Sequence, residues 1–318
     1  MFRKEIKVLD CTLRDGGLIN NYQFSDDFVK AVYRAVCDSG VDIMEFGKKL
    51  AESDTYTREK YGPWNFCDDD DIRRVQDSYA CEKPPEIAVM FDVGRVDVSK
   101  LCPAKQSPVD MIRTASYVRD IDKGIDLCKR SKDLGYTATM NIMAVSAANE
   151  SDLIKALEKV NETKEIDFLY LVDSFGAFYS EQISYYLKMY RKHAPAKELG
   201  IHAHNNQQLG FSNTQQAVID GVNLLDATIN GIGRGAGNCN LELLLLFLKN
   251  PRFDVEPIYK VIQEFFIPLR KEIEWGYNDI YGICGCLNQH PGEAMKLRAD
   301  AENQGKCYDF YLESKKSR

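Results

Sequence analysis

Two short stretches carry residues that could do chemistry together. In Val8–Gly17, VLDCTLRDGG, an apolar run stops and Asp10, Arg14, Asp15 and two glycines follow. The second stretch is His202–Asn206, HAHNN. Histidines two apart on a strand project to one face, while Ala203 projects to the other. At a strand end such a pair makes a bidentate clamp for a metal ion. It uses two of the chain's four histidines. A packed histidine pair is the plainer alternative. His193 closes a helix-period segment, where a cation suits the dipole, and His290 stands in weaker context. A third stretch, Asp226–Asn240, reads DATINGIGRGAGNCN. Its glycines resemble a dinucleotide loop, but that loop belongs after a first strand, with an acidic residue about 20 positions on. The better reading is a tight turn that brings backbone close to a ligand and aims Asn238 inward. A phosphate cradle is the lesser option.

Something must hold these stretches at one place. Short apolar runs recur at Ile6–Cys11, Asp42–Phe46, Ile87–Phe91, Val109–Ile112, Thr137–Met143, Phe168–Val172, Gly200–Ala203 and Leu224–Ile229. Helix-period segments lie between them, including Asp26–Ser39, Ile121–Leu134, Ser151–Val160 and Glu181–His193. Continuous apolar strands alternating with helices predict a parallel sheet covered on both faces. Eight such units in about 250 residues predict an α/β fold, the TIM (β/α)₈ barrel, with the doubly wound sheet as runner-up. Residues 1–250 are read as the barrel. Residues 251–318 are read as a C-terminal helical extension packed near the barrel mouth, with helices expected over Ile258–Ile273 and Gly292–Gln304. The long connection from Gly47 to Pro85 carries Tyr, Trp and Phe among polar residues, as a substrate lid would. Within it, Asp68–Asp71 is expected to cap and open a helix near Ile72. A calcium site there lacks alternating ligand spacing.

Composition narrows the function classes. The chain has 318 residues, 44% of them hydrophobic, and a net charge of −7 without a basic block. Nucleic acid is therefore not an expected partner. The opening MFRKEIKVLD has no long apolar segment, and no run of about 18 apolar residues follows. A cytoplasmic protein with no membrane partner is expected. Its ten cysteines are scattered, as reduced thiols would be.

Four motifs in order, TLRDG (Thr12–Gly16), VDSFGA (Val172–Ala177), HAHNNQQLGFSN (His202–Asn213) and GIGRGAGN (Gly231–Asn238), carry a specific resemblance. Together they resemble the pyruvate carboxyltransferase-type metal-dependent lyases. That superfamily includes hydroxymethylglutaryl-CoA lyase, isopropylmalate synthase and homocitrate synthase, and the 4-hydroxy-2-oxovalerate aldolase branch is the most similar. The resemblance implies that Asp15, His202 and His204 bind a divalent cation, with Asn238 a ligand or near-ligand. Mn²⁺ or Mg²⁺ suits that donor set, with Co²⁺ or Zn²⁺ as alternatives. It implies that Arg14 holds the oxyanion of an enolate, that Ser174 faces the substrate and that Asp173 is the strand-six acid. Glu45 would orient Arg14 or serve as a structural ion pair. Arg113 would take a substrate carboxylate or pair with Glu45, and Asn141 would face the same mouth. Tyr277 and Tyr281, in WGYNDIYGI, resemble the aldolase's tyrosine-bearing segment and are catalytic candidates. One position departs from the pattern. Leu18 stands where the aldolases carry a histidine base, leaving Tyr281, Tyr277, His290 or another group to replace it, or a different chemistry. The expected reaction makes or breaks a C–C bond next to a 2-oxo acid, with an aldehyde or related carbonyl as second substrate. An acyl-CoA-dependent synthase and a non-catalytic metabolite-binding barrel are the alternatives, and the sequence leaves a homo-oligomer open.

Overall fold

The computed structural model describes residues 3–96, 98 and 101–316. Eight parallel strands close in sequence order into a barrel. They are β1 (Lys7–Asp10), β2 (Ile43–Lys48), β3 (Glu86–Asp92), β4 (Met111–Tyr117), β5 (Thr137–Met143), β6 (Phe168–Asp173), β7 (Glu198–Ala203) and β8 (Leu224–Ala227). Closure comes from β8 against β1, with Leu9 paired to Asp226 and Asp10 to Ala227. The TIM barrel expectation is met.

Alternation along the strands sorts the two sides of the barrel wall. On β3, Ile87, Val89 and Phe91 join the large apolar cluster beneath the helices. Ala88, from the other face, joins Leu9, Ile43 and Met111 in a small cluster inside the barrel. The helices bury matching stripes. Helix Asp26–Ser39 begins at Ser25, whose hydroxyl accepts from the Phe28 amide at 3.2 Å, and ends at Gly40 with φ of 70°. Phe28, Val29, Val32, Tyr33 and Val36 form its buried face. Both ends match the sequence expectation because cap and stop residues mark them.

Arg14 and Asp15 lie on a helix, Thr12–Asn20, directly after β1. Two segments differ from expectation, each for a physical reason. β4 runs on to Tyr117, past the expected end at Ile112. Its continuation carries Arg113 inside the barrel and Thr114 and Ser116 against the helix Ile121–Asp133, all buried, and buried polar residues on both faces break an apolar pattern. The proposed lid is anchored instead. Trp64 and Phe66 are buried, and the Trp64 ring lies 5.3 Å from Phe46. Helix Asp69–Gln76 does begin near Ile72, although Asp68 makes no side-chain cap and pairs with Arg58.

The C-terminal segment forms helices Glu256–Val261, Ile267–Leu269, Asp279–Cys286, Gly292–Ala299 and Cys307–Lys316, with a π-turn over Ile262–Phe266. It is bonded to the loops beyond the strand ends. The Trp275 indole donates to the Asn230 carbonyl at 3.1 Å, and the Asn288 amide to the Ser146 carbonyl at 2.9 Å.

The glycine loop after β8 is held by contacts that admit no side chain at one position. Gly237 has φ of 85°, and a Cβ there would meet the Gly231 carbonyl oxygen at 1.9 Å. Gly237→Ala should therefore destabilise the fold by roughly 1–3 kcal/mol and displace Asn238. Urea unfolding checks this, and an unchanged midpoint would show that the loop is looser than described.

Candidate active site and metal centre

The barrel interior carries charge where aliphatic packing is usual. Glu45 from β2, Arg113 from β4, Tyr170 from β6 and Asp226 from β8 meet in one layer, the pattern of alternate strands contributing one tier of side chains. All four are fully or almost fully buried. Arg113 donates to Glu45 Oε2 at 2.8 Å and to Asp226 Oδ2 at 2.5 Å, and its guanidinium lies 4.5 Å from the Tyr170 ring centre. Glu45 Oε2 also accepts from Arg14 Nε at 2.7 Å, and Arg14 Nη1 bonds Asp15. Asp226 Oδ2 lies 3.0 Å from His202 Nδ1, and His202 Nε2 lies 3.5 Å from Asp15 Oδ2. The six residues Asp15, Arg14, Glu45, Arg113, Asp226 and His202 thus close a buried ring.

The top of that ring fits a divalent cation. Asp15, His202 and His204 offer ligand atoms that all lie within 4.8 Å of one another. Each imidazole is oriented through its other nitrogen. His202 Nδ1 faces the Asp226 carboxylate, and His204 Nδ1 faces the Gly237 carbonyl at 3.2 Å. Donation from each Nδ1–H leaves the Nε2 lone pair for a metal, the usual outer-shell arrangement. His202 Nε2 and Asn238 Oδ1 are buried with no hydrogen-bond partner, as acceptors aimed at an ion would be. Asn238 is placed opposite His204 by a β-bridge, while its amide nitrogen donates to the Ile232 carbonyl at 3.1 Å. The loop can approach because Gly233 is there. A Cβ at that position would meet Asn238 Nδ2 at 2.1 Å and Asp15 Oδ1 at 2.6 Å. A second grouping, Cys11 with His202 and Asp226, shares the same histidine from below. Arg113 already occupies Asp226, and burial pushes the Cys11 thiol well up, so that grouping is the poorer donor set.

The electrostatics follow from burial and partners. Burial works to raise the Asp15 pKa, but the Arg14 guanidinium and the two imidazoles hold it well below the usual carboxylate range. Burial likewise opposes ionisation of Asp226, and Arg113 and His202 overcome it. His204 is pushed well below its ordinary value, chiefly by burial. Burial also lowers His202, but the neighbouring Asp15 and Asp226 carboxylates win and raise it. Asp10, beside Glu45 and Asp226, is pushed up to about 7 by burial. At neutral pH it therefore carries only part of its negative charge.

Above the ring lies a small pocket of about 100 Å³. Arg14, Asp15, His202 and His204 line its floor, with Asn141 and Ser174 on its wall. Ser174 Oγ accepts from the Ala144 amide at 2.9 Å, and Asn141 Oδ1 accepts from Thr139 at 2.7 Å. Asp173 reaches the turn after β6 instead, accepting from the Ala177 and Phe178 amides at 2.9 and 3.2 Å. Leu18 lines the pocket, so the position of the expected base is apolar.

Five of the expected residues do not line the pocket, Glu45 and Arg113 forming instead the ion pairs named as their alternatives. These two lie in the layer beneath it, with their charges consumed by each other, Arg14 and Asp226. Tyr281 is buried in a separate cluster with Ala236, Ile280, Cys284 and Ala294, and its hydroxyl is influenced by burial, Glu274 and Arg298. Tyr277 is half exposed, its ring packed against Gly282. Neither tyrosine lines the pocket. His290 stands edge-on to Phe175 at 5.6 Å and does not line it either. Four pocket or support residues were missed: Lys48, Asp92, Arg234 and Asp226. Lys48 and Asp92 end neighbouring strands and pair at 2.6 Å on the pocket wall. Their signal was position at strand ends, obscured because both strands run past their apolar cores.

The chain is similar in sequence and fold to known proteins. The HMGL-like family model matches residues 5–263. A 4-hydroxy-2-oxovalerate aldolase from Pelotomaculum thermopropionicum is 29% identical over 261 residues, covering 81% of this chain and 74% of the relative. An oxaloacetate decarboxylase from Mycobacterium tuberculosis is 26% identical over 246 residues, covering 77% and 70%. Among solved structures, the N-terminal domain of a proposed aldolase from Bacteroides vulgatus superposes with a TM-score of 0.77 at 30% identity, covering 94% of this chain and 98% of that one. The HMG-CoA lyase of Bacillus subtilis shares the fold, with a TM-score of 0.65 at 15% identity over 85% of this chain and 94% of that one. Among the described residues, no helix is long and apolar enough to cross a membrane.

The donor set leads to an expectation about metal. The protein should bind one divalent ion per chain, and His202→Ala should weaken that binding by more than about tenfold. Because Asp15 and Asp226 favour a proton on His202, the ion competes with that proton and its affinity should fall as pH falls. Calorimetric titration with Mn²⁺ measures both effects. Equal affinity in wild type and His202→Ala would remove the clamp.

Proposed function

The chain belongs to the HMGL-like family, and from that premise we propose that it is a metal-dependent carbon–carbon lyase acting next to the carbonyl of a 2-oxo acid. The observation that supports this most strongly is the presence of Arg14 in the same pocket as Asp15, His202 and His204. Asp15, His202, His204 and Asn238 would hold a divalent cation, Mn²⁺ or Mg²⁺ before Co²⁺ or Zn²⁺. The ion would supply Lewis-acid polarisation of the substrate carbonyl.

The chain's own residues then divide the work. Arg14 commits Nε to Glu45 and Nη1 to Asp15, which leaves Nη2 for a substrate oxygen. As a C–C bond breaks and its electron pair moves toward the carbonyl, negative charge develops on that oxygen. A guanidinium already held in place stabilises it without reorganising. Glu45 and Arg113 act as positioning residues in this reading. Ser174 and Asn141 would orient the 2-oxo acid. Leu18 provides no base for a 4-hydroxyl proton, so cleavage of simple 4-hydroxy-2-oxo acids should be slow.

A second reading, an acyl-CoA-using synthase on the same barrel, draws support from a groove of about 550 Å³ that shares Met143 with the pocket and has room for a larger acyl group. Dependence of product formation on acetyl-CoA would distinguish it.

The lyase reading has a direct assay. In oxaloacetate decarboxylation the bond to the departing carboxyl carbon breaks, CO₂ leaves, and the electron pair becomes an enolate. No base is needed. Wild type should accelerate this reaction with Mn²⁺, and Arg14→Lys should lose about 10²–10³ of the rate while keeping its metal content. A rate no higher than that of free Mn²⁺ would count against the proposal.

A further inference from the structure

The GIGRGAGN loop places a guanidinium in the pocket that the mechanism above does not use. Arg234 sits between Gly233 and Gly235, and its backbone amide donates to Asp15 Oδ1 at 3.0 Å. Its side chain lines the same pocket as Arg14 and Lys48. The other two cations are neutralised. Arg14 pairs with Asp15 and Glu45, and Lys48 with Asp92. Among the described residues, no carboxylate lies within 4.0 Å of the Arg234 guanidinium. Its one hydrogen bond runs from Nη2 to the Ser174 carbonyl at 2.6 Å, and its Nε is buried without a partner.

A guanidinium taken out of water and left without a counter-ion is costly, and a ligand anion relieves that cost. The Asp15 carboxylate that its backbone amide meets is already shared with Arg14 and the metal position. Neighbouring His290 does not compensate either. Burial and the charge of Arg234 both lower its pKa, and its Nδ1 accepts from the Gly292 amide at 3.0 Å. The pocket lining thus holds three cations, Arg14, Lys48 and Arg234, against two carboxylates, Asp15 and Asp92. A divalent ion would widen the imbalance. One carboxylate and one carbonyl of a 2-oxo acid would engage the ion and Arg14, leaving Arg234 unsatisfied.

We propose that Arg234 is the receptor for a second carboxylate, so that the site takes 2-oxo acids bearing another carboxylate on the part remote from the 2-oxo group. The planar fork, with Nε unpartnered, matches a carboxylate in geometry as well as charge. The inference rests on the reading of the pocket as a 2-oxo acid site.

The test compares two acids of equal chain length, 2-oxoglutarate and 2-oxopentanoate, which differ in a terminal carboxylate against a methyl group. Neither readily loses CO₂ from its far end, so binding is read without turnover. Calorimetry on the full chain with saturating Mn²⁺ should show wild type binding 2-oxoglutarate about tenfold or more tighter. Arg234→Gln should abolish that preference while leaving 2-oxopentanoate affinity and Mn²⁺ stoichiometry unchanged. Arg234→Lys should retain part of it. Equal affinities in wild type, or a preference surviving in Arg234→Gln, would overturn the assignment and leave the 2-oxo acid reading standing. An equal loss of both acids in Arg234→Gln would move Arg234 to the common carboxylate and also overturn it. Failure of both acids to bind wild type would remove the 2-oxo acid reading and this inference with it. Circular dichroism verifies folding. If Arg234→Gln does not fold, the wild-type pair and Arg234→Lys decide.

Discussion

The structure depends on a closed ring of buried charge. Asp15, Arg14, Glu45, Arg113, Asp226 and His202 each touch the next, and no member is more than slightly exposed. Such a ring is poor evidence for stability, because desolvation of six groups offsets most of their attraction. Its value is positional. Each charge has only one arrangement that satisfies both neighbours, so two metal-ligand candidates and the oxyanion donor are held by the same constraint. Removing any one member leaves an uncompensated charge inside the barrel.

The fold supplies that constraint economically. Alternate strands deliver Glu45, Arg113 and Asp226 to one layer, and the next layer up carries the pocket floor. Asp10 sits beside two carboxylates, and burial raises its pKa to about 7, so it adds only part of a negative charge to the ring at neutral pH. Helix Thr12–Asn20 follows β1 at once, which turns Arg14 and Asp15 back over the barrel mouth. The glycine loop after β8 closes the site from the other side. Asn238 faces His204, Gly233 admits the close approach, and Arg234 enters the pocket. The C-terminal helices rest on the same loops through Trp275 and Asn288 and steady them from outside.

Much of this was legible in the residues, and what was not has identifiable causes. The histidine pair and the Arg14–Asp15 step were readable because strand alternation and adjacency are local. Helix Asp26–Ser39 was readable to the residue because Ser25 and Gly40 mark its ends. The Arg113–Glu45 pair stood among the alternatives, but Asp226 was harder. An inward-facing charge in a strand looks like the end of the strand, and only the closed barrel brings Arg113 to partners 68 and 113 residues away. Arg234 stood in a quoted motif without a role, since no periodicity fixes where a side chain in a glycine loop points. Tyr277 and Tyr281 resembled a catalytic segment, but Tyr277 lies ahead of helix Asp279–Cys286 and is half exposed, while the helix buries Tyr281 among apolar neighbours.

The central claim is that two imidazoles and a carboxylate converge on one divalent ion under the control of the buried ring. Pulsed electron paramagnetic resonance of the Mn²⁺-bound protein, prepared with ¹⁵N-labelled histidine, tests it most directly. The account expects electron–nuclear coupling to two histidine nitrogens, falling to one in His204→Ala. A bound Mn²⁺ with no histidine nitrogen coupling would contradict it.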